Sequence, residues 1–217
     1  MDIRSHYLDF AEKIDAVHSY AQIQQDLFIL CELNFKRNGF FVEFGATDGI
    51  KLSNTYLLEK EFGWTGVLVE PARCYHDILI KNRKASLDFS CIWESTGASL
   101  PFVEVGHLST IDSYKNVDFH RGLRQNRPIY DVYTLSLHDL LLKHRAPEKI
   151  DYLSIDTEGS EYDILKDFCF DKYDIKIITV EHNHTELRDA VFSLLTSKGY
   201  SRKFEQLTDF DDWFVKN

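Results

Sequence analysis

The stretch FFVEFGATDG, residues Phe40 to Gly49, decides the fold of this 217-residue chain. An apolar run reaches a carboxylate at Glu43 and then breaks at two glycines, Gly45 and Gly49. Buried parallel strands read as near-continuous apolar runs, and in α/β sheets ligands bind beyond the carboxyl ends of such strands. The stretch therefore predicts a buried parallel strand that leads into a ligand-binding loop.

Strand and helix patterns alternate along the rest of the chain, and two strand patterns close it. Crossovers between parallel strands are right-handed and usually helical, so this alternation predicts a doubly wound, parallel α/β sheet. The last two strands are expected to form an antiparallel pair. The predicted strands lie at 40–43, 66–70, 86–92, 102–105, 130–135, 151–156, 175–180, 200–204 and 212–215.

One domain is expected over residues 1–217. It begins with a helical segment at 1–39, whose second helix is predicted to end in the basic turn 36–38 before Gly39. At 94–131 the apolar pattern loosens, and histidine and arginine accumulate. We interpret this stretch as an insertion that forms a lid over the bound substrate.

Composition excludes several classes of protein. A hydrophobic fraction of 44% and only four prolines are typical of a globular chain, not a disordered one. A formal charge of −10 argues against binding nucleic acid through its phosphates. The first residues lack the apolar centre of a signal peptide, and no run approaches membrane-spanning length, so a cytoplasmic location is expected.

Several predicted strands end in acids, and these ends should meet in one crevice. The loop 45–49 lacks the third glycine of a dinucleotide fingerprint, and Glu43 and Asp48 add negative charge where phosphates would lie. Those charges suit an ammonium group. Glu70 follows Gly49 by 21 residues, where an acid accepts the ribose hydroxyls. An amino-acid head with an adenosine ribose describes S-adenosylmethionine; the alternative is ordinary turn glycines with solvated acids.

Four motifs of the chain occur together in one known family. They are VEFGATDG (42–49), SNTY (53–56), GVLVEP (66–71) and DTEGSE (156–161), the last within a longer match over 151–165. Shorter matches lie at 19–22, 25–26, 109–110 and 212–213. In these stretches the chain resembles the FkbM family of S-adenosylmethionine-dependent methyltransferases.

This resemblance implies a Rossmann-like class I methyltransferase fold, with a mostly parallel seven-stranded sheet, helices on both faces and an antiparallel C-terminal strand. It implies methyl transfer to a hydroxyl of a sugar, glycan or natural product. Ser90 and Cys91 lie where such folds hold the adenine. The other implied cofactor contacts are Glu43, Gly45, Asp48, Gly49, Ser53, Asn54, Glu70, Pro71 and Asp156.

Two routes can activate an acceptor hydroxyl, a general base or a divalent metal. His182 is the first candidate base because it follows a buried strand at the ligand end of the sheet; His184 and His107 are alternatives. Asp156, Glu181 and Asn183 are the candidate ligands of Mg²⁺ or Mn²⁺, and both acids are candidate catalytic residues. The alternative for the acids is helix capping and pairing with basic side chains.

The insertion carries the predicted acceptor contacts. Arg121, Arg124 and Arg127, with His107, would clamp a phosphate or carboxylate on a small-molecule or glycan acceptor, unless they form a solvated loop neutralised by nearby acids. Two other functions stay open. A nicotinamide-dependent oxidoreductase is disfavoured by the missing glycine, whereas a non-catalytic subunit that keeps the cofactor pocket fits every motif.

Overall fold

The computed structural model describes residues 3–217, so Met1 and Asp2 of the predicted N-terminal segment lie outside the described residues. It contains a large sheet, a small sheet and seven α-helices in that part of the chain. The helices are α1 (Ala11–Asp15), α2 (Gln25–Glu32), α3 (Tyr56–Phe62), α4 (His76–Asn82), α5 (Leu137–Lys143), α6 (Glu161–Lys166) and α7 (Arg188–Ser197).

The strands are numbered in chain order across both sheets. They are β1 (Phe40–Phe44), β2 (Thr65–Val69), β3 (Ser86–Asp88), β4 (Cys91–Ile92), β5 (Ser99–Val103), β6 (Thr110–Ile111), β7 (Ile129–Leu135), β8 (Lys149–Ile155), β9 (Asp174–Glu181), β10 (Tyr200–Lys203) and β11 (Asp211–Lys216).

The large sheet has seven strands in the order β10-β11-β9-β8-β1-β2-β3. Strand β1 lies between β8 and β2, and Phe41 pairs with Tyr152 on one side and Gly66 on the other. Pairing is parallel from β9 to β3, while β11 is antiparallel to both β9 and β10. The predicted mostly parallel sheet with an antiparallel C-terminal strand is confirmed.

Helices cover both faces of this sheet, as predicted. Alternate residues of a strand point to opposite faces, so Val42 and Phe44 join one core and Phe41 joins the other. The first core contains apolar residues of α5, α6 and α7, and the second contains those of α2, α3 and α4. The N-terminal segment therefore contributes α2 to one of the two helical layers.

The prediction of one continuous strand over 86–92 is wrong, because the structure has two short strands there, β3 and β4. The chain turns at Phe89 and Ser90, where the Ser90 amide donates to Asp88 Oδ1 at 3.0 Å. Strand β3 therefore ends the large sheet, and β4 begins a small sheet of order β4-β7-β5-β6. The predicted insertion accordingly supplies β5, β6 and the start of β7 to this small sheet, which stands beside the carboxyl ends of the large one.

Helix α2 ends at Glu32, four residues before the predicted basic turn. The chain then bends through residues with positive φ, Asn34, Phe35 and Asn38, which cannot continue a right-handed helix. No helix within residues 3–217 is both long and apolar enough to cross a membrane.

Candidate functional site

A cavity of about 310 Å³ opens at the carboxyl ends of β1, β2, β8 and β9, with parts of the small sheet and its loops as the facing wall. The predicted site residues divide into two groups around it. Those that line the cavity are Gly45, Glu70, Pro71, Cys91, His107, Asp156, Glu181 and Asn183. Those outside its lining are Glu43, Asp48, Gly49, Ser53, Asn54, Ser90, Arg121, Arg124, Arg127 and His182.

Glu70 is fixed at the end of β2 by two backbone amides. Its Oε2 accepts from the Thr47 amide and its Oε1 from the Ala72 amide, each at 2.8 Å. The side chain is 4% exposed, and this burial raises the pKa of Glu70 to about 7, although both amide bonds act to lower the pKa. Each oxygen keeps a second lone pair, so Glu70 can accept two hydroxyl groups from a ligand.

An apolar wall adjoins Glu70. It consists of Pro71, Cys91, Ile92, Phe102 and Ile111. A flat, weakly polar ring fits such a wall better than a charged group does, because the wall offers dispersion contacts and no counter-ion. The strand break that separates β3 from β4 is what turns Cys91 and Ile92 toward the cavity.

Glu43 holds the loop after β1 instead of lining the cavity. Its carboxylate accepts from the Ser53 hydroxyl, from the Asn54 amide at 2.8 Å and from the Thr55 hydroxyl. Strand alternation places Glu43 on the same sheet face as Phe41, under α3. Asp48 likewise bonds within its own loop, since its Oδ1 accepts hydrogen bonds from the backbone amides of Ile50 and Lys51.

Arg83, a residue that the sequence reasoning missed, completes this network. Its fully buried guanidinium donates to Glu59 Oε2 and Thr55 Oγ1 at 2.8 Å and to the Gly49 carbonyl at 3.1 Å. Gly49 has φ +78°, and a side chain there would also collide with Arg83. One sequence signal could have found Arg83. It lies four residues after the buried Leu79, and this spacing puts Arg83, the residue that follows α4, on the same inner face as Leu79.

Three carboxylates meet at the ends of β8 and β9. One oxygen each of Asp156, Glu158 and Glu181 lies within 4.8 Å of the others. Burial first, and then repulsion from neighbouring acids, raises the pKa of each of the three carboxyls above its usual range. Glu181 Oε2 is buried and has no hydrogen-bond partner. The three carboxylates together carry more negative charge than the single guanidinium beside them, that of Arg124, can neutralise.

Arg124 links the predicted insertion to this cluster. Its guanidinium donates to Glu158 Oε2 at 2.6 Å, to both Asp118 oxygens at 2.8 Å and to the Leu108 carbonyl at 2.8 Å. Every nitrogen of this buried side chain is engaged within the protein.

The predicted arginine clamp is not formed in this structure. Arg124 is committed to its two carboxylates, and Arg121 and Arg127 are exposed on the outer side of the segment. Their loop lies above the cavity, but the three guanidinium groups are absent from its lining. No lysine or arginine of residues 3–217 contributes to that lining.

The histidines are arranged differently from the prediction. His182 Nδ1 accepts from the His184 amide at 3.0 Å, its Nε2 is buried without a hydrogen-bond partner, and burial lowers the pKa of His182 to about 4. The cavity is lined by its neighbours Glu181 and Asn183, so His182 lies on the opposite side of the chain. His107 and His120, a residue not singled out in the sequence, line the cavity instead.

Comparison with known proteins agrees with this geometry. A family model described as the methyltransferase FkbM domain matches residues 43–202. No relative of this chain was found among curated protein sequences. The crystal structure of the methyltransferase FkbM from Methylobacillus flagellatus KT is similar at 13% sequence identity, with a TM-score of 0.50. That match covers 99% of this chain and 62% of the other, so this chain spans less than two thirds of that protein's length.

A fibrillarin/Nop5p complex is also similar, at 11% identity and a TM-score of 0.40, over 96% of this chain and 80% of that one. The sheet order, the helices on both faces and the ligand-side cavity are those of a Rossmann-like class I methyltransferase. The family model spans most of the chain, from Glu43 to Arg202. This protein belongs to the FkbM family of methyltransferases.

Proposed function

We propose that this protein transfers a methyl group from S-adenosylmethionine to a hydroxyl of a sugar, glycan or natural product. The proposal rests on one observation, that a single cavity has two chemically different ends. Glu70 and an apolar wall lie at one end, and a carboxylate cluster with two histidines lies at the other. Family membership supports S-adenosylmethionine as the methyl donor, and the hydroxyl acceptor is our inference from the second end.

The first end suits the adenosine part of the cofactor. Glu70 would accept the two ribose hydroxyls, and the wall from Pro71 to Phe102 would pack against the adenine. Gly45, with φ +75°, keeps the turn after β1 close to the main-chain oxygen of Asp156, where a side chain would collide. When bound, the cofactor supplies a methyl group already activated on a sulfonium. The protein therefore has to align the acceptor and accept its proton.

The second end supplies the proton acceptors. His120 and His107 reach the cavity from the loops of the small sheet, facing the cluster at the ends of β8 and β9. Burial lowers the pKa of His120 from its usual value, which keeps its ring neutral and able to take a proton near pH 7. We assign His120 or His107 as the base in place of His182, whose imidazole does not line the cavity.

The cluster of Asp156, Glu158 and Glu181 fits a divalent cation. Carboxylate oxygens are the ligands that Mg²⁺ and Mn²⁺ prefer, and the unpartnered Glu181 Oε2 is an available donor. Asn183 adjoins the cluster, because its Nδ2 donates to Glu158 Oε2 at 3.1 Å. When bound, such a cation would lower the pKa of an acceptor hydroxyl. The proposal therefore includes metal assistance by these residues.

A methyl-transfer assay tests the acceptor class. Purified protein, S-adenosylmethionine with a labelled methyl group and a panel of neutral glycans, glycosides and polyhydroxylated natural products are incubated with Mg²⁺ or with a chelator. Label should enter an oxygen of at least one neutral acceptor, and Glu181→Gln should lower the rate by at least tenfold. Absence of label from every oxygen of the panel, including label found only at nitrogen or carbon atoms of the natural products, would overturn the hydroxyl assignment. Equal rates with the chelator would overturn the metal assignment.

A further inference from the structure

A second, small cavity lies behind the loop that follows β1. Its volume of about 10 Å³ has room for a single water-sized group. It shares Gln22, Leu52, Asp156 and Phe210 with the large cavity, so a ligand in the large cavity could extend one small group into it. Its polar walls come from four elements and one loop that the fold brings together: Gln25 of α2, Asn54 of the loop before α3, Ser154 of β8, Thr179 of β9 and Asp211 of β11.

Hydrogen-bond acceptors dominate this small cavity. The Asn54 side chain is 9% exposed; its Nδ2 donates to Ser154 Oγ at 2.8 Å, and its Oδ1 is buried without a partner. Asp211 is 5% exposed, and its Oδ2 accepts from Gln25 Nε2 at 2.8 Å. Two buried acceptors thus face a space in which neither has a full set of donors.

Asp211 also lacks a positive partner. The nearby arginines, Arg188 and Arg202, pair with Asp212 instead, and no basic side chain of residues 3–217 forms an ion pair with Asp211. A buried carboxylate without a cation and a buried amide oxygen without a donor both cost free energy. A small group that is positively charged and donates several hydrogen bonds would satisfy both. A primary ammonium has three donors and the size of one water.

We propose that this small cavity is the subsite for the α-ammonium group at the methionine end of the cofactor, with Asp211 as its counter-charge and Asn54 Oδ1 as an acceptor. The inference rests on the proposed function, because it assumes that the large cavity holds S-adenosylmethionine. It replaces the sequence-based assignment of the ammonium to Glu43 and Asp48, whose carboxylates accept hydrogen bonds from the loop itself.

Titration calorimetry with two ligands tests the subsite. One ligand is S-adenosylhomocysteine, and the other is its analogue with a hydroxyl in place of the α-amino group. Asp211→Asn keeps the side-chain shape and can still accept from Gln25. The substitution should lower the affinity for S-adenosylhomocysteine at least tenfold, which is about 1.4 kcal/mol of binding free energy. It should change the affinity for the hydroxyl analogue less than twofold. Equal weakening of both ligands, or of neither, would overturn the subsite.

Two further variants keep the test decisive. Asn54→Leu removes the acceptor Oδ1 and should also reduce the preference for S-adenosylhomocysteine over the hydroxyl analogue, even if Asp211→Asn does not fold. Asp151→Asn is the control, since Asp151 is a half-buried acid that pairs with Lys36 near the amino end of β8, at the opposite end of the sheet from both cavities; its ligand preference should equal that of the wild type. Wild-type protein that binds neither ligand would contradict the proposed function itself, a result distinct from failure of the subsite.

Discussion

At the scale of single residues, the site depends on which face of a strand each acid occupies. Glu70 directly follows β2, whereas Glu43 is the residue before the last of β1, and the sequence predicted cofactor contacts for both. Only Glu70 lines the cavity, because two backbone amides hold its carboxylate there. Glu43 lies on the same sheet face as Phe41, and its carboxylate accepts hydrogen bonds from the loop that follows β1. The sequence shows where a strand ends, but side-chain direction at the last residue depends on the register with neighbouring strands.

Glu70 makes cofactor binding depend on pH. Its pKa is raised to about 7 by burial, and only the ionised carboxylate accepts from both ribose hydroxyls without itself donating. We expect the affinity for S-adenosylhomocysteine to fall as the pH is lowered from 8 to 6, by several-fold. Calorimetry across this range is the measurement, and Glu70→Gln should reduce the pH dependence, with the remainder coming from Asp211, whose pKa burial also raises to about 7. An undiminished dependence in that variant would contradict the role of Glu70.

Arg124 is a second residue-scale test. Replacing it with leucine leaves Asp118 and Glu158 buried without their cation, so we expect a loss of about 3 to 5 kcal/mol in the free energy of unfolding. Denaturant unfolding measures this. Arg121→Leu is the matched control, since Arg121 is exposed on the same segment and should change stability by less than about 0.5 kcal/mol. A similar effect of both variants would contradict the anchoring role.

At the scale of elements, the loop after β1 is shaped by a helix that does not touch the cavity. Arg83, at the end of α4, reaches the loop through Gly49 and Thr55. The predicted strand, loop and helix were found, yet this link was not predicted, because it joins residues far apart in sequence. The same holds for the small sheet: its strands have weak patterns, and only the pairing of β4 with β7 brings its loops to the cavity.

Arg83 should therefore act as a positioning residue. Arg83→Met is expected to weaken S-adenosylhomocysteine binding at least tenfold although the side chain lies outside the cavity lining, because it releases the loop that carries Thr47. Arg83→Lys should recover part of the affinity by restoring the charge near Glu43. The exposed neighbour Lys84, changed to methionine, is the control. Unchanged affinity in a folded Arg83→Met protein would contradict this role.

At the scale of the whole molecule, the fold concentrates buried acids at one end of the sheet. The sequence predicted this convergence, because the carboxyl ends of parallel strands lie together. It could not predict that Glu158 would join Asp156 and Glu181, or that His120 would reach them, since both lie in loops whose path depends on the small sheet. The charge of −10 is thus unevenly distributed, with uncompensated acid around the cavity.

This distribution sets how stability depends on pH. Burial raises the pKa of Glu70 and of Asp211 to about 7, so the folded state binds more protons than the unfolded chain above pH 5. Their contribution is present at low pH and is lost as the pH rises through 7. The melting temperature of the ligand-free protein should therefore fall between pH 6.5 and 8. The lowered pKa of His182 acts in the opposite direction only below about pH 6.5. A rising melting temperature would contradict the buried, unpaired state of these acids.

The central claim is that the cavity beside Glu70 holds the methyl donor. Calorimetry with S-adenosylhomocysteine at pH 8 tests it most directly, on wild-type protein and on Glu70→Ala, with folding of both verified by circular dichroism. We predict binding of at least micromolar affinity to the wild type and a loss of at least tenfold in the variant. No heat of binding in folded wild-type protein, or equal affinity in Glu70→Ala, would contradict the claim.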